Sequence, residues 1–201
     1  MQTRSVLDVS QWSRFNNGKE APIWWGILGL ILVEAMVVAG FISSYLYLSI
    51  PHAEWPPYGL PAPELPLPTL ALLLLLSSCY TMYLAGRYLD QGRPRAFMLA
   101  LLVSIGLASM VLILRWIQFH TFEFRWSDHA YGSLVWTLTG FHFIHVVSMV
   151  IGTSVIALLG FKGFFSQQRQ LAVVVDTLYW YFVALIWIPL YLLLYWLPRC
   201  I

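Results

Sequence analysis

This sequence contains few charged residues. Only 10% of its residues are charged, against 60% that are hydrophobic, and this balance excludes a soluble domain with a polar shell. The two cysteines, Cys79 and Cys200, form no CxxC pair and so predict neither a disulfide framework nor a cysteine metal site. Strand segments of alternating hydrophobicity are absent, as are P-loop, dinucleotide-binding and nucleophile-elbow motifs. The composition therefore indicates a helical integral membrane protein.

Five apolar runs are each long enough to cross a bilayer, which takes about 20 residues in an α-helix. The sequence predicts an all-α integral membrane bundle of five transmembrane helices, at about residues 23–49, 66–89, 96–119, 132–161 and 172–197. Residues 1–21 lack the short apolar core of a signal peptide and are predicted to be a retained cytoplasmic tail. Residues 22–201 are predicted to form a single membrane domain.

Cations are distributed unequally between the two ends of these spans. The tail, the second-to-third turn and the fourth-to-fifth loop share one side and carry Arg4, Arg14, Lys19, Arg87, Arg93, Arg95, Lys162 and Arg169. The other side holds only Arg115, Arg125 and Arg199. The positive-inside rule then favours an N-terminus inside and a C-terminus outside. The net charge of +2 follows from this topology and does not indicate a nucleic-acid partner.

Ionisable side chains inside the spans need a reason, because each costs several kcal/mol in hydrocarbon unless it is paired or hydrated. Glu34 lies near the middle of the first span, beside the small residues Ala35, Ala39 and Ser43, which allow another helix to approach. Two interpretations of Glu34 stay open: a hydrogen bond between helices, or a proton-handling or lipid-contacting site. Asp176 lies a few residues into the fifth span, where hydration from the inner side is the default interpretation.

His142 and His145 are three positions apart on one face of the fourth span, at the depth of Glu34. No other span supplies a deep histidine, so no haem or copper centre is expected in this chain. A neutral imidazole bonded to a protonated glutamic acid satisfies both groups, and Glu34 with one of the two histidines is the preferred pair. The predicted intramembrane polar network is Glu34, His142, His145 and Asp176, with no catalytic residue and no metal ligand.

Aromatic side chains are frequent near the span ends, as interfacial anchors commonly are. The proline-rich segment HAEWPPYGLPAPELP between the first two spans denies a helix its backbone donors, so it predicts an extended path that suits packing on a partner. Residues expected to contact lipid or a neighbouring subunit are Trp24, Trp25, Trp55, Trp180 and Tyr181.

Six motifs occur in a fixed order along the chain: WWGILGLILVEAMVVAGFISSYLYL, EWPP, LLSSCYTMYLA, SDHAYGS, TGFHFIHV and LYWYFV. They resemble the WGM…SEVMFFAGFF…Y, WPP, LLSS, SDGVYGS, TGFHGLHV and WYWHFVD segments of cytochrome c oxidase subunit III. The TGFHxxHV motif with its preceding YGS is the most specific of these. The resemblance covers residues 22–197 and fits the five-span bacterial form of the family.

The resemblance implies a haem-copper oxidase subunit that binds no haem or copper itself. It implies contact with the catalytic subunit I, with subunit II and a small subunit IV, phospholipid held between the helices, and support of proton uptake in a bacterial inner membrane. Glu34 falls on the family's intramembrane carboxyl, and His142 and His145 fall on the histidines of its FHxxH motif.

The sequence departs from the family pattern at three positions. Tyr181 and Ala184 stand where WHFVD has histidine and aspartate, and Gln118 stands where the family has a glutamate. Part of the family's polar network is therefore missing, and the carboxyl of Asp176 occurs instead.

The function expected from the sequence is the non-redox subunit III of an oxygen reductase, with Glu34 a neutral, hydrogen-bonded acid and not a required proton carrier. Three alternatives stay open. One is an accessory subunit of a quinol oxidase or nitric oxide reductase, the second is an independent proton-coupled transporter using Glu34 and His145, and the third is a pure assembly scaffold.

Overall fold

Five long α-helices make up most of the described chain. The computed structural model describes residues 21–52, 54–57 and 59–200, so the predicted tail of residues 1–21 lies outside it except for Ala21. The helices are α1 (Pro22–Ser49), α2 (Pro66–Asp90), α3 (Pro94–Thr121), α4 (Ala130–Phe161) and α5 (Leu171–Tyr191). All five are long and apolar enough to cross a membrane, which confirms the predicted all-α bundle of five spans.

An odd number of spans places the two ends of the bundle on opposite sides. We call the end where α1, α3 and α5 begin the N-terminal face, and the end where α5 finishes the C-terminal face. The helices themselves do not fix which face is cytoplasmic, so the inside location of the N-terminal face stays a prediction.

The helix starts follow from local sequence. Helices α1, α2 and α3 each have proline at a first position, where the missing N–H would have no intrahelical acceptor in any case. Helix α4 is capped by a side chain instead, because the amide of Gly132 donates to Nδ1 of His129 at 2.8 Å. Helix α5 contains Pro189 and passes at Leu192 into a π-helical turn, Leu192–Trp196, since proline removes one backbone donor.

Helices α2 and α3 form an antiparallel hairpin, as their short connection predicts. Gly92 takes a φ of 67° in the turn, which favours glycine, and the amide of Arg93 donates to the carbonyl of Tyr88 at 2.9 Å. Inside the hairpin, Oγ1 of Thr81 and Oγ of Ser104 are 2.7 Å apart. The hairpin therefore combines close packing with an internal hydrogen bond.

Helix α5 joins the hairpin to the rest of the bundle. Nε1 of Trp180 donates to Oγ of Ser78 on α2 at 2.9 Å, and the hydroxyls of Thr69 and Tyr191 are 2.6 Å apart. Helix α1, by contrast, packs mainly on α4 and α5, and its buried residues are Ile27, Val38 and Tyr45. Most of the α1 surface is therefore not covered by this chain.

The segment between α1 and α2 is fastened to the C-terminal face by one tryptophan. Trp55 is buried, and its Nε1 donates to the hydroxyl of Tyr45 at 3.0 Å. Its ring also meets that of Tyr131 on α4 edge to face, with centroids 5.2 Å apart. Aromatic edge-to-face contacts of this kind add to the energy of burial, so Trp55 connects the loop with two helices.

Candidate functional site

Glu34 and His145 lie in contact between α1 and α4. Oε2 of Glu34 is 3.3 Å from Nε2 of His145, and the two side chains are 22% and 11% exposed. Both residues lie well inside their helices, at the depth that the sequence predicts. The structure thus brings together two members of the predicted polar set, and it selects His145 as the histidine nearer to Glu34.

The hydrogen bond of the other ring nitrogen of His145 limits which protonation states the Glu34–His145 contact can have. Nδ1 lies 2.7 Å from the carbonyl oxygen of Phe141, and because a carbonyl only accepts, Nδ1 must carry a hydrogen. A neutral ring then leaves Nε2 as an acceptor, so the bond to Glu34 requires a protonated carboxyl. The alternative is an ionised carboxylate facing a doubly protonated ring. In both forms the Glu34–His145 pair shares one proton.

His142 faces a different neighbour, although it is on the same side of α4. It is fully buried, its Nε2 lies 3.2 Å from the carbonyl oxygen of Val183 on α5, and its ring lies 4.4 Å from that of Trp187. By the same argument Nε2 donates to the carbonyl. His142 therefore connects α4 with α5 and does not reach Glu34.

Asp176 contacts α4 nearer to the N-terminal face. Oγ1 of Thr153 donates to its Oδ2 at 2.7 Å, and a Cβ placed on Gly152 would lie 3.3 Å from its Oδ1. One turn further along α5, the hydroxyl of Tyr179 is 2.9 Å from Oγ of Ser148. In the described chain no direct hydrogen bond joins Asp176 to Glu34 or His145, so the predicted polar set is three separate contacts.

The small-residue face beside Glu34 was expected to contact another helix, but no helix of the described chain covers it. Ala35, Ala39 and Ser43 are exposed in the described chain, as are Gly40 and Ser44. Ser43 and Ser44 return their hydroxyls to backbone carbonyls of α1 itself, so they make no bond to another helix. Glu34 is covered by α4 on its other side, and the small face is left for lipid or a partner.

The five aromatic residues expected at lipid or subunit contacts occupy two kinds of position. Trp25 is 65% exposed, and Trp24 and Tyr181 are half-buried. Trp55 and Trp180 are instead buried within the chain, each with its indole N–H bonded to a hydroxyl. The expectation is corrected for these two, because their indole nitrogens find partners only inside the bundle.

Arg115 lies in a buried cluster that the sequence did not predict. The sequence analysis counts it among the few cations on the side of the membrane opposite the N-terminus. Arg115 is 1% exposed, and its Cζ lies 3.7 Å from the ring centre of Trp187. Nη1 donates to Oε1 of Gln118 at 2.5 Å, and Nε2 of Gln118 donates to the hydroxyl of Tyr195 at 2.5 Å. The sequence did contain a signal for this cluster: the arginine stands three positions before a glutamine and six residues before the end of the apolar helix α3.

The Arg115 cluster has more donors than acceptors. Among the described residues, Nε and Nη2 of Arg115 and Nε1 of Trp187 have no hydrogen-bond partner, and no carboxylate lies within ion-pair distance of the guanidinium. Beside the cluster, a cavity of about 390 Å³ opens at the C-terminal face between the α1–α2 segment and the ends of α3 and α5. Its lining includes Glu64, Gln118, Glu123 and Tyr195.

The potential metal ligands that the structure describes do not converge. Within residues 21–52, 54–57 and 59–200, no group of three histidine, cysteine, aspartate or glutamate side chains is placed to hold a metal ion. The arrangement of Glu34, His145 and His142 suits hydrogen bonding and proton exchange between helices.

Comparison with known proteins identifies the family of this chain. The profile of the family described as cytochrome c oxidase subunit III matches residues 8–199. Among curated relatives, the cytochrome c oxidase subunit 3 of Loxodonta africana is 30% identical over 96% of this chain and 81% of its own length. That of Thermostichus vulcanus is 27% identical over 87% of both chains. The chain belongs to the cytochrome c oxidase subunit III family and is a multi-pass membrane subunit of a haem-copper oxidase complex.

Proposed function

We propose that this chain is the non-redox subunit III of a respiratory cytochrome c oxidase, which stabilises the catalytic subunit, retains lipid and supports proton uptake during oxygen reduction. The Glu34–His145 contact carries the proposal, since it holds a shared proton between two helices deep in the bundle. Haem and copper belong to partner subunits in this proposal.

The exposed part of α1 supports a role that depends on neighbours. A helix whose surface is mostly uncovered, with small residues along one face, is suited to close contact with another helix or with acyl chains. We assign this face to lipid and to the catalytic subunit I, with subunit II and a small subunit IV elsewhere in the complex. The relative from Thermostichus vulcanus supports a bacterial inner membrane as the location.

The neutral form of the Glu34–His145 pair is the form we propose. Two neutral groups joined by one hydrogen bond are less costly in a low-dielectric interior than an ion pair that is only partly shielded. Glu34 then acts as a hydrogen-bonded acid that holds a proton, and catalytic turnover does not depend on its ionisation.

Isolation of the complex tests this function. A C-terminal tag on this chain is used to purify the native complex from gently solubilised membranes, and the reduced-minus-oxidised haem spectrum and oxygen consumption are then measured. We expect stoichiometric haem and oxygen reduction. A monodisperse but haem-free preparation would contradict the proposal and favour transport by the chain alone.

Substitution of the acid tests the assigned role of Glu34. In the intact complex, Glu34→Gln keeps a donor for Nε2 of His145, so we expect initial oxygen consumption within about twofold of wild type. Deletion of the whole subunit should slow proton uptake or shorten catalytic life. Loss of initial turnover in Glu34→Gln, with haem content unchanged, would show that Glu34 is a required proton carrier.

A further inference from the structure

The surroundings of the Glu34–His145 pair differ between the two faces of the bundle. Towards the C-terminal face, the rings of Phe41 on α1 and Phe141 on α4 meet edge to face, with centroids 5.4 Å apart. The Phe141 ring also lies 4.2 Å from that of His145. These rings fill the α1–α4 contact directly beyond the pair.

The aromatic packing continues to the end of the bundle. Tyr45 lies one helical turn beyond Phe41, and its ring is 5.3 Å from Trp55 and 6.1 Å from Tyr131. All three residues are buried. Between α1 and α4, the direct path from the C-terminal face to Glu34 therefore crosses two layers of aromatic side chains, although a surface cavity lined by Ser43, Ser44 and Ser133 reaches the outer layer.

Towards the N-terminal face, polar groups follow the pair on both α4 and α5. Ser148 is three positions after His145 on α4, and Gly152 is four positions after Ser148, so the three lie on one stripe of the helix. That stripe meets the hydroxyl of Tyr179 at Ser148 and the carboxyl of Asp176 at Gly152. At about 1.5 Å per residue, the stripe extends about 10 Å from His145.

The two hydroxyls are not fully covered by the described chain, which leaves room for water molecules beside them in the assembled complex. Ser148 is exposed in the described chain, and Tyr179 is half-buried. The hydroxyl of Ser148 is bonded to the carbonyl of His145 at 2.9 Å as well as to Tyr179. Asp176 lies five residues inside α5, about 8 Å from the helix start, and is half-buried.

We propose that the Glu34–His145 pair exchanges its proton with the N-terminal face alone, along Ser148 and Tyr179, and that Asp176 is the group that exchanges protons with water at that face. A proton from water binds a carboxylate oxygen of Asp176, passes through waters held by the two hydroxyls and replaces the proton shared by Glu34 and His145. The released proton returns by the same route, so nothing is oxidised and net charge is unchanged. The inference deepens the proposed function and rests on it for the neutral state of Glu34.

Hydrogen–deuterium exchange of the Glu34 carboxyl tests the inference. The purified oxidase complex in lipid nanodiscs is transferred to D2O, and the infrared carbonyl band of the protonated acid is followed with time. The band is assigned to Glu34 by its loss in Glu34→Gln. We expect Asp176→Asn to slow exchange by at least about tenfold, the lower end of what a positioned proton-transfer group contributes.

Glu123→Gln is the matched control, because it removes a carboxyl at the C-terminal face. This variant should exchange at the wild-type rate. Phe41→Ala, which opens the aromatic contact, should restore fast exchange when combined with Asp176→Asn. If the aspartate variant fails to assemble, Ser148→Ala with Tyr179→Phe should show the same slowing.

The outcomes separate this inference from the proposed function. If the exchange rate of the Glu34 carboxyl in Asp176→Asn stays within about twofold of wild type, the inference alone is overturned, since a required relay group must change the rate. The same holds for the double hydroxyl variant where only that variant assembles. Equal slowing in Glu123→Gln would also overturn it. A wild-type complex without any protonated Glu34 band would overturn both the inference and the neutral state on which it rests.

Discussion

The Glu34–His145 pair and the Arg115 cluster both hold ionisable side chains inside the bundle, but in different surroundings. The Glu34–His145 pair lies where α1 meets α4, is partly exposed, and each partner satisfies the other. Arg115 lies six residues before the end of α3, is fully buried, and keeps two nitrogens without a partner in the described chain. The first arrangement fits the proton exchange proposed above, and the second is a buried cation whose side-chain contacts connect α3 with Trp187 and Tyr195.

Arg115 offers the largest expected effect. Arg115→Ala leaves a cavity beneath Trp187 and removes the donor to Gln118, so we expect a loss of about 3 kcal/mol in the free energy of unfolding. Arg115→Met fills the space and removes a charge without a carboxylate partner, and it should lose less than half as much. Unfolding of the purified chain in mixed micelles measures both. Equal losses would show that the charge, and not the volume, stabilises the cluster.

The Glu34–His145 pair gives an intermediate effect. His145→Leu leaves the acid without a partner, so we expect a loss of about 1 to 3 kcal/mol in the free energy of unfolding. Glu34→Gln keeps a donor to Nε2 and should stay within about 1 kcal/mol of wild type. The same unfolding measurement compares them, and the contrast between polar pair and buried cluster fails if Glu34→Gln is as destabilising as Arg115→Ala.

Helix contacts outside both sites give the smallest expected effect. A Cβ added at Gly160 on α4 would lie 2.6 Å from Sδ of Met98 on α3, a flexible side chain, so Gly160→Ala should cost about 1 kcal/mol. Gly106→Ala is the matched control, since nothing lies within 4 Å of its added Cβ, and it should be neutral or stabilising. Thermal unfolding in detergent distinguishes the two. Equal stability would mean that Met98 moves freely and the α3–α4 contact is loose.

The bundle itself could be predicted because the spans are long and apolar, and their ends are marked by proline at the start of α1, α2 and α3. The partner of Glu34 could also be proposed, since a lone carboxyl in hydrocarbon needs a donor or acceptor at its own depth. The sequence could not decide between His142 and His145 as that partner, because the choice depends on how α4 is rotated relative to α1 and α5. Only the contacts of His142 with Val183 on α5 and of His145 with Glu34 on α1 decide it.

Arg115 and Trp55 were misjudged for a shared reason. Rules for charge and aromatic residues near span ends assume that the membrane surface is the only polar environment available. Here Gln118 and Tyr195 supply polar atoms inside the bundle, so Arg115 is covered. The loop between α1 and α2 folds back far enough to bury Trp55. Both outcomes depend on contacts between segments distant in sequence, which no local pattern encodes.

The position of α1 has a consequence for the order in which the chain is assembled in the membrane. Helices α2 and α3 are neighbours in sequence, so their hairpin can close as soon as both have left the ribosome. Helix α1 is made first, yet it packs mainly on α4 and α5, which are made last. Glu34 must therefore stay without His145 while three further spans are inserted, and during that interval its uncovered helix is open to capture by a partner subunit before the chain completes its own fold.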